Sequence, residues 1–385
     1  MSLEDIFSTE RIRAIDKGNM LRMIEGLPED LIKSYEMSEK LEVPSRLCTG
    51  PYTIEYKSPN NVIVAGMGGS AIGGNIVSDL LRDRVEIPII VSRQYTLPKF
   101  VSEGTLVIVV SYSGETEEAI SSLMYALKSK SMVVCVSSNG TLAKMCEKSG
   151  IPLVRVPRGY QPRAAIAYLT VPILVILELF RVVRFNVKAK VKEASDVLKG
   201  IREEIGVNSP IDVNKVKKLA CSLYKKTPII YSYWPYSSAA FRFKTQLNEN
   251  SKVLARYDVL PEMNHNEIMG WEGVGKEDAS RYHVVLLRGS EEPKEIKARV
   301  EFVKDALVEK GVAVSQLTSR GSCRFAEIMS LIYQGDYTSY YLAILNDVDP
   351  TPVYTISRLK KFLASRVGKM KELVEEFERL TQRST

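Results

Sequence analysis

Short continuous apolar runs, each followed by a glycine- or serine-rich turn and then by apolar residues at helical spacing, recur along this chain. The first covers 61–74, NVIVAGMGGSAIGG. Val62, Ile63, Val64 and Ala65 predict a parallel strand covered on both faces. Ile72, Ile76 and Leu80, with Val77 and Leu81 beside them, predict a helix that starts near Ser70. About forty residues on, a strand over 106–110 leads through Ser111, Tyr112, Ser113 and Gly114 into a second helix marked by Ile120, Leu123, Met124 and Leu127. Further strands are predicted over 87–92, 132–136 and 153–156. Five strands joined by crossover helices make a doubly wound parallel sheet, so the fold class is α/β.

The most hydrophobic run, 164–180, contains Pro172 and Glu178 between Arg163 and Arg181. It falls short of the ~20 apolar residues a membrane span needs, so a central buried helix is expected. Residues 1–57 are charged with helical patches such as 12–24, a helical lead-in. Residues 183–210 form a connecting helix (Val187, Val191, Ala194, Val197, Leu198) ended by Asn208, Ser209 and Pro210. A second αβ unit follows, with strands over 229–233, 284–287 and 312–317 and helices over 237–247 and 294–309. It repeats the first in layout without a residue-level repeat. A long last helix from Ser357 carries Leu363, Val367, Met370, Val374 and Phe377 spaced by four and three like a coiled-coil seam, suited to its own domain or to a partner chain.

With 385 residues and 45% hydrophobic content the chain buries a large core, and length suggests two domains. Its net charge of +7 suits an anionic small molecule. Nucleic acid is disfavoured, because 53 basic residues are interspersed with 46 acidic ones and no basic block appears. Cys48, Cys135, Cys146, Cys221 and Cys323 lie far apart without CxxC spacing, which indicates neither a disulfide framework nor a zinc knuckle and fits a reducing cytoplasm. No apolar leader opens the chain.

The two turns carry the first chemistry. A helix start following Gly66, Gly68 and Gly69 offers unpaired N–H groups and partial positive charge to an anion such as phosphate. Ser70 either caps that helix or donates to the anion. Ser111, Ser113 and Thr116 surround the second helix start. Either turn alone reads first as helix capping, but two hydroxyl-rich turns at the carboxyl ends of strands in one sheet favour a ligand crevice. Proton chemistry falls in the second unit. Only two histidines exist; His283, in YHVVLL, reads as structural. His265 lies in the irregular polar stretch LPEMNHNEIMGWE, of a kind that carries function. Glu249 ends its helix in QLNENSK, where an anion is unfavourably placed for the dipole.

Together GMGGSAIGG, SYSGET, PRAA at 162–165, NENSK at 248–252, LPEMNHNEIMGWE, and DPTPV followed by LKK at 359–361 resemble the archaeal bifunctional phosphoglucose/phosphomannose isomerases of the sugar isomerase (SIS) domain superfamily. The resemblance is collinear over 58–362. It implies two SIS domains, each an αβα sandwich around a parallel, flavodoxin-like sheet, at 58–182 and 211–362, with a C-terminal helical extension at 363–385. It implies a metal-independent, cofactor-free homodimer that interconverts glucose 6-phosphate or mannose 6-phosphate with fructose 6-phosphate, with no nucleic-acid or membrane partner. Residue by residue, it assigns the substrate phosphate to Gly68, Gly69, Ser70, Ser111, Ser113 and Thr116. It makes Glu249 the base that carries a proton between C2 and C1 through a cis-enediol, and His265 and Lys360 the ring-opening pair, with Lys361 adjacent to Lys360. It also implies that Arg163 stabilises the enediolate and that His265 reaches the neighbouring subunit's site.

The second turn departs from the family in having Glu115 where asparagine is expected, followed by Glu117 and Glu118. These carboxylates would repel a phosphate unless they point away. Three other readings compete. SYSGET also resembles the isomerase half of glutamine-dependent glucosamine 6-phosphate synthase, but no glutaminase domain is present. Gly66, Gly68 and Ala71 fit a dinucleotide fingerprint with Ser92 and Arg93 as an NADP selector. A non-catalytic SIS sugar-phosphate sensor would have no need of Glu249.

Overall fold

The computed structural model describes residues 3–382. Four helices come first, α1 (Leu3–Ile6), α2 (Thr9–Ile15), α3 (Met20–Glu25) and α4 (Leu27–Ser38). An antiparallel pair, β1 (Arg46–Thr49) and β2 (Tyr52–Glu55), then interrupts what the sequence pattern presents as a purely helical lead-in. Strands of four residues are too short to show their alternation against charged neighbours. The chain divides into two compact units. One holds the residues up to Pro28 with Lys192–Pro352, the other Glu29–Val191 with the residues from Val353 on.

The Glu29–Val191 unit is built on β3 (Asn61–Ala65), α5 (Gly69–Leu81), β4 (Ile89–Ser92), β5 (Thr105–Val110), α6 (Glu117–Lys128), β6 (Met132–Ser137), α7 (Gly140–Ser149), β7 (Leu153–Arg155) and α8 (Ile166–Leu179). The five strands pair in parallel in the order β4-β3-β5-β6-β7. All six residues of β5 and of β6 are buried, as their unbroken apolar runs require. The order reverses between β3 and β5, the kind of switch point at whose carboxyl ends open α/β sheets receive ligands. Helix α8 is buried along nearly its whole length, and among the described residues no helix is long and apolar enough to cross a membrane.

After α9 (Val187–Ile205) the second sheet is assembled from α10 (Lys215–Leu223), β8 (Thr227–Tyr233), α11 (Ser237–Glu249), β9 (Arg256–Leu260), α12 (Glu267–Gly270), α13 (Lys276–Ala279), β10 (Tyr282–Arg288), α14 (Lys294–Glu309), β11 (Ala313–Thr318) and α15 (Arg324–Leu345). Its parallel order is β11-β10-β8-β9. The edge strand β9 goes unpredicted because RYDVL lacks an apolar run, with Leu260 alone buried. Helix α15 fills the core of this unit, buried from Phe325 to Ile344.

The expected long terminal helix is two helices, α16 (Tyr354–Arg366) and α17 (Lys369–Gln382). The break falls at Gly368, whose φ of +66° is a left-handed conformation that glycine adopts without a Cβ penalty. The continuous seam is thereby lost. Leu373 and Phe377 of α17 are buried in the cluster that includes Ile120, Leu123 and Leu127 of α6, so α17 packs on its own unit. No residue of α16 is buried.

Candidate active site

In the first turn Gly68 has φ +50°, and Gly69 opens α5. A Cβ on Gly69 would lie 2.8 Å from the Pro162 carbonyl oxygen and 3.1 Å from the Cα of Arg163. Glycine therefore lets the 162–163 segment lie directly against the start of α5, with Arg163 only 3% exposed. Ser70 does not cap its helix. Its Oγ accepts the backbone N–H of Tyr112 at 3.2 Å, which ties the first turn to the second and leaves the hydroxyl proton for a ligand. In the second turn Ser111 Oγ and Thr116 Oγ1 are 2.9 Å apart, and Ser113 Oγ accepts the Glu115 N–H at 3.2 Å. Gly114, at φ +70°, lies so close to the Asn139 carbonyl that a Cβ would be 1.8 Å from its oxygen. One unit thus brings together Gly68, Gly69, Ser70, Ser111, Ser113, Thr116 and Arg163.

Two of the three carboxylates beside the second turn are engaged elsewhere. Glu115 accepts the Thr141 N–H at 2.8 Å and the Thr141 hydroxyl at 2.9 Å, in the first turn of α7. Glu117 accepts from the Tyr95 hydroxyl at 3.3 Å.

Residues behind the crevice are not legible in the sequence. The Tyr112 hydroxyl donates to the Pro157 carbonyl and accepts the Tyr160 N–H, both at 2.9 Å, and so pins the loop that leads to Arg163. Tyr168 on α8 donates at 2.8 Å to Asp30, a buried carboxylate. Burial raises the Asp30 pKa, opposed by hydrogen bonds from Tyr160 and Tyr168. Burial, then Asp30 itself, pushes Tyr160 up to about 12. In sequence Asp30 stands among charged residues of a short helix and reads as solvated.

In the other unit α11 ends on the half-buried Glu249. Buried Arg242 reaches Asp336 of α15 through Nε at 3.1 Å and Nη2 at 2.7 Å, and Gln246 Nε2 donates to the same carboxylate at 3.0 Å. Past Glu249, Asn250 Nδ2 donates to Ser339 Oγ at 3.0 Å and Ser251 Oγ to the Ser339 carbonyl at 2.6 Å. Lys252, at φ +57°, donates through Nζ to the carbonyls of Glu249 and Pro350. The end of α11 is therefore held from three sides. His265 closes the one-turn helix Glu262–His265 after β9, and its side chain is exposed. His283 is buried, with Nε2 2.8 Å from Ser315 Oγ and its pKa lowered by burial, in keeping with a structural role. Lys360 and Lys361, both exposed on α16, belong instead with the Glu29–Val191 unit.

Parallel sheets with hydroxyl-bearing turns at a switch point define an α/β protein of the SIS class. Residues 212–363 match the family model described as the bacterial phospho-glucose isomerase C-terminal SIS domain. The chain belongs to the bifunctional phosphoglucose/phosphomannose isomerase family. It is 37% identical over 348 residues to the bifunctional phosphoglucose/phosphomannose isomerase of Caldicellulosiruptor bescii, covering 90% of this chain and 99% of that one. To the Thermoplasma acidophilum enzyme of the same description it is 35% identical, over 78% of this chain and 89% of that one. A solved glucose-6-phosphate isomerase like protein from Thermus thermophilus shares the fold, with a TM-score of 0.61 at 19% identity over 94% of this chain and 99% of that chain.

Proposed function

We propose that this protein interconverts glucose 6-phosphate and mannose 6-phosphate with fructose 6-phosphate by proton transfer through a cis-enediol. The observation that carries the proposal is the meeting, in one unit, of two hydroxyl-bearing turns with the buried Arg163 at a sheet switch point. Hydroxyls and helix N–H groups suit a phosphate dianion. A fixed guanidinium suits the negative charge that develops on the enediolate. Glu249 is the base, accepting the C2 proton of the open-chain aldose and returning it to C1. His265 and Lys360 open the sugar ring. Two histidines and scattered cysteines offer no zinc set, so both activities should survive exhaustive chelation.

A coupled assay run with glucose 6-phosphate and mannose 6-phosphate side by side, before and after EDTA, tests the reading. Turnover of neither sugar would reject it, and loss of one activity restored by zinc would reject the metal-free chemistry. The homodimer, with His265 serving the neighbouring site, is tested by mixing the impaired His265→Ala and Glu249→Gln chains under subunit exchange. Activity above that of either variant alone supports a shared site; no gain despite proven exchange refutes it.

A further inference from the structure

We infer that Glu267 is a positioning residue for His265, acting through Tyr231, Arg256 and Trp271. The inference rests on the ring-opening role proposed for His265. His265 is exposed, and its ring has no hydrogen-bond partner among the described residues, so the backbone of its loop sets where the imidazole points. That loop is anchored from two sides. On one, Asn264 Oδ1 accepts from Arg299 of α14 at 3.3 Å. On the other, two residues past His265, Glu267 Oε1 accepts the Tyr231 hydroxyl at 3.1 Å and Oε2 accepts Arg256 Nη2 at 2.9 Å. Tyr231 Oη in turn accepts the indole N–H of Trp271 at 2.9 Å. The donors therefore run in one direction, from Trp271 to Tyr231 to Glu267.

Tyr231 lies on β8 with no exposed surface, Trp271 is 8% exposed and the Glu267 side chain 15%, so this chain of bonds fastens the loop to the rigid sheet in a place water reaches poorly. Between the anchors, Asn266 accepts the Glu267 N–H at 2.6 Å and donates to Glu262 at 2.8 Å, which fixes the two peptides after His265. With both oxygens engaged, Glu267 is placed to hold the loop rather than to abstract a proton. A displacement of about 1 Å in a reacting group can lower the rate by ~10²-fold.

The experiment is a double-mutant cycle on the full-length protein, reading kcat and KM for glucose 6-phosphate together with Tm. Glu267→Ala should lower kcat about tenfold with little change in KM, within the range of misplacement effects. Glu267→Gln, whose amide oxygen still accepts from Tyr231, should restore most of it. Glu267→Ala combined with His265→Ala should be no slower than His265→Ala alone, because the residue acts only through the imidazole. A double variant whose kcat falls by the product of the two losses, or a Glu267→Ala variant with normal kcat, overturns the positioning role. A His265→Ala variant with normal kcat overturns the His265 assignment beneath it, a distinguishable failure. Should Glu267→Ala fail to fold, Tyr231→Phe, which removes the hydroxyl and keeps the ring, takes its place in the same cycle.

Discussion

The Glu115 carboxylate is bound by Thr141, through the backbone N–H at 2.8 Å and the hydroxyl at 2.9 Å. A negative charge in the first turn of α7 is favourably placed for that helix dipole and supplies an acceptor to an otherwise unpaired N–H. Ser111 and Thr116 meanwhile bond to each other rather than to that carboxylate.

Glu115→Ala should consequently behave as the loss of a helix cap, destabilising by about 1 kcal/mol, with KM for either sugar phosphate close to that of the unaltered protein. Thermal unfolding and steady-state kinetics on the same preparations separate the two effects. A marked fall in KM would mean that the carboxylate repels the substrate after all.

How much of this was legible in the sequence depended on burial. Strands β3, β5 and β6 are covered on both faces, so their unbroken apolar runs stand out, and the hydroxyl turns that follow them could be placed at strand ends. Strand β9 sits at a sheet edge with Arg256 and Tyr257 exposed, and nothing in its composition separates it from a loop. The partners of the site residues were hidden for a different reason. Asp336 lies 94 residues from Arg242, and Thr141 lies 26 from Glu115. A charge neutralised at long range has the same sequence signature as a solvated one.

The Arg242 and Asp336 pair couples α11, and with it Glu249, to α15. Both side chains are almost fully buried, at 2% and 4% exposure. Removing one partner leaves the other charge buried and uncompensated, which typically costs about 3 to 5 kcal/mol. Asp336→Ala should therefore unfold at much lower denaturant concentration, whereas a surface pair such as Lys199 with Asp196 should contribute little when broken. Equal, small shifts for the two variants in urea titrations would count against the buried pair as an anchor of α11.

Asp30 sets a pH dependence of stability. Its pKa is raised by burial, so the folded chain holds the proton more tightly than the unfolded chain does. Its contribution is then fully present below the unfolded carboxylate value of about 3.9 and is lost as pH rises through the folded pKa. Asp30→Asn cannot ionise, and its amide oxygen still accepts from Tyr168. The Tm of this variant relative to the unaltered protein should climb as pH goes from about 4 to 7. A difference that stays constant or shrinks over that interval would contradict the linkage.

Glu249 is the residue on which the proposed chemistry turns. Abstraction of a proton beside a carbonyl needs a positioned base, a role a carboxylate can fill, and general-base catalysis contributes typically about 10² to 10⁴-fold. Glu249→Gln keeps the shape and removes the basicity, while Arg242, Asn250 and Ser251 still hold the end of α11 in place. The variant should lose kcat by that order for glucose 6-phosphate and mannose 6-phosphate alike, because both aldoses lose their C2 proton to the same group. Binding of a phosphorylated inhibitor should change little, since the hydroxyl turns proposed to receive the phosphate are untouched. In deuterated water the unaltered enzyme should place solvent deuterium at C2 of the aldose, the abstracted proton having rested on an exchangeable carboxylate. A Gln variant that retains near-normal kcat for either sugar would remove Glu249 from that reaction. Glu267 would be a poor replacement, because both of its carboxylate oxygens are already engaged by Tyr231 and Arg256.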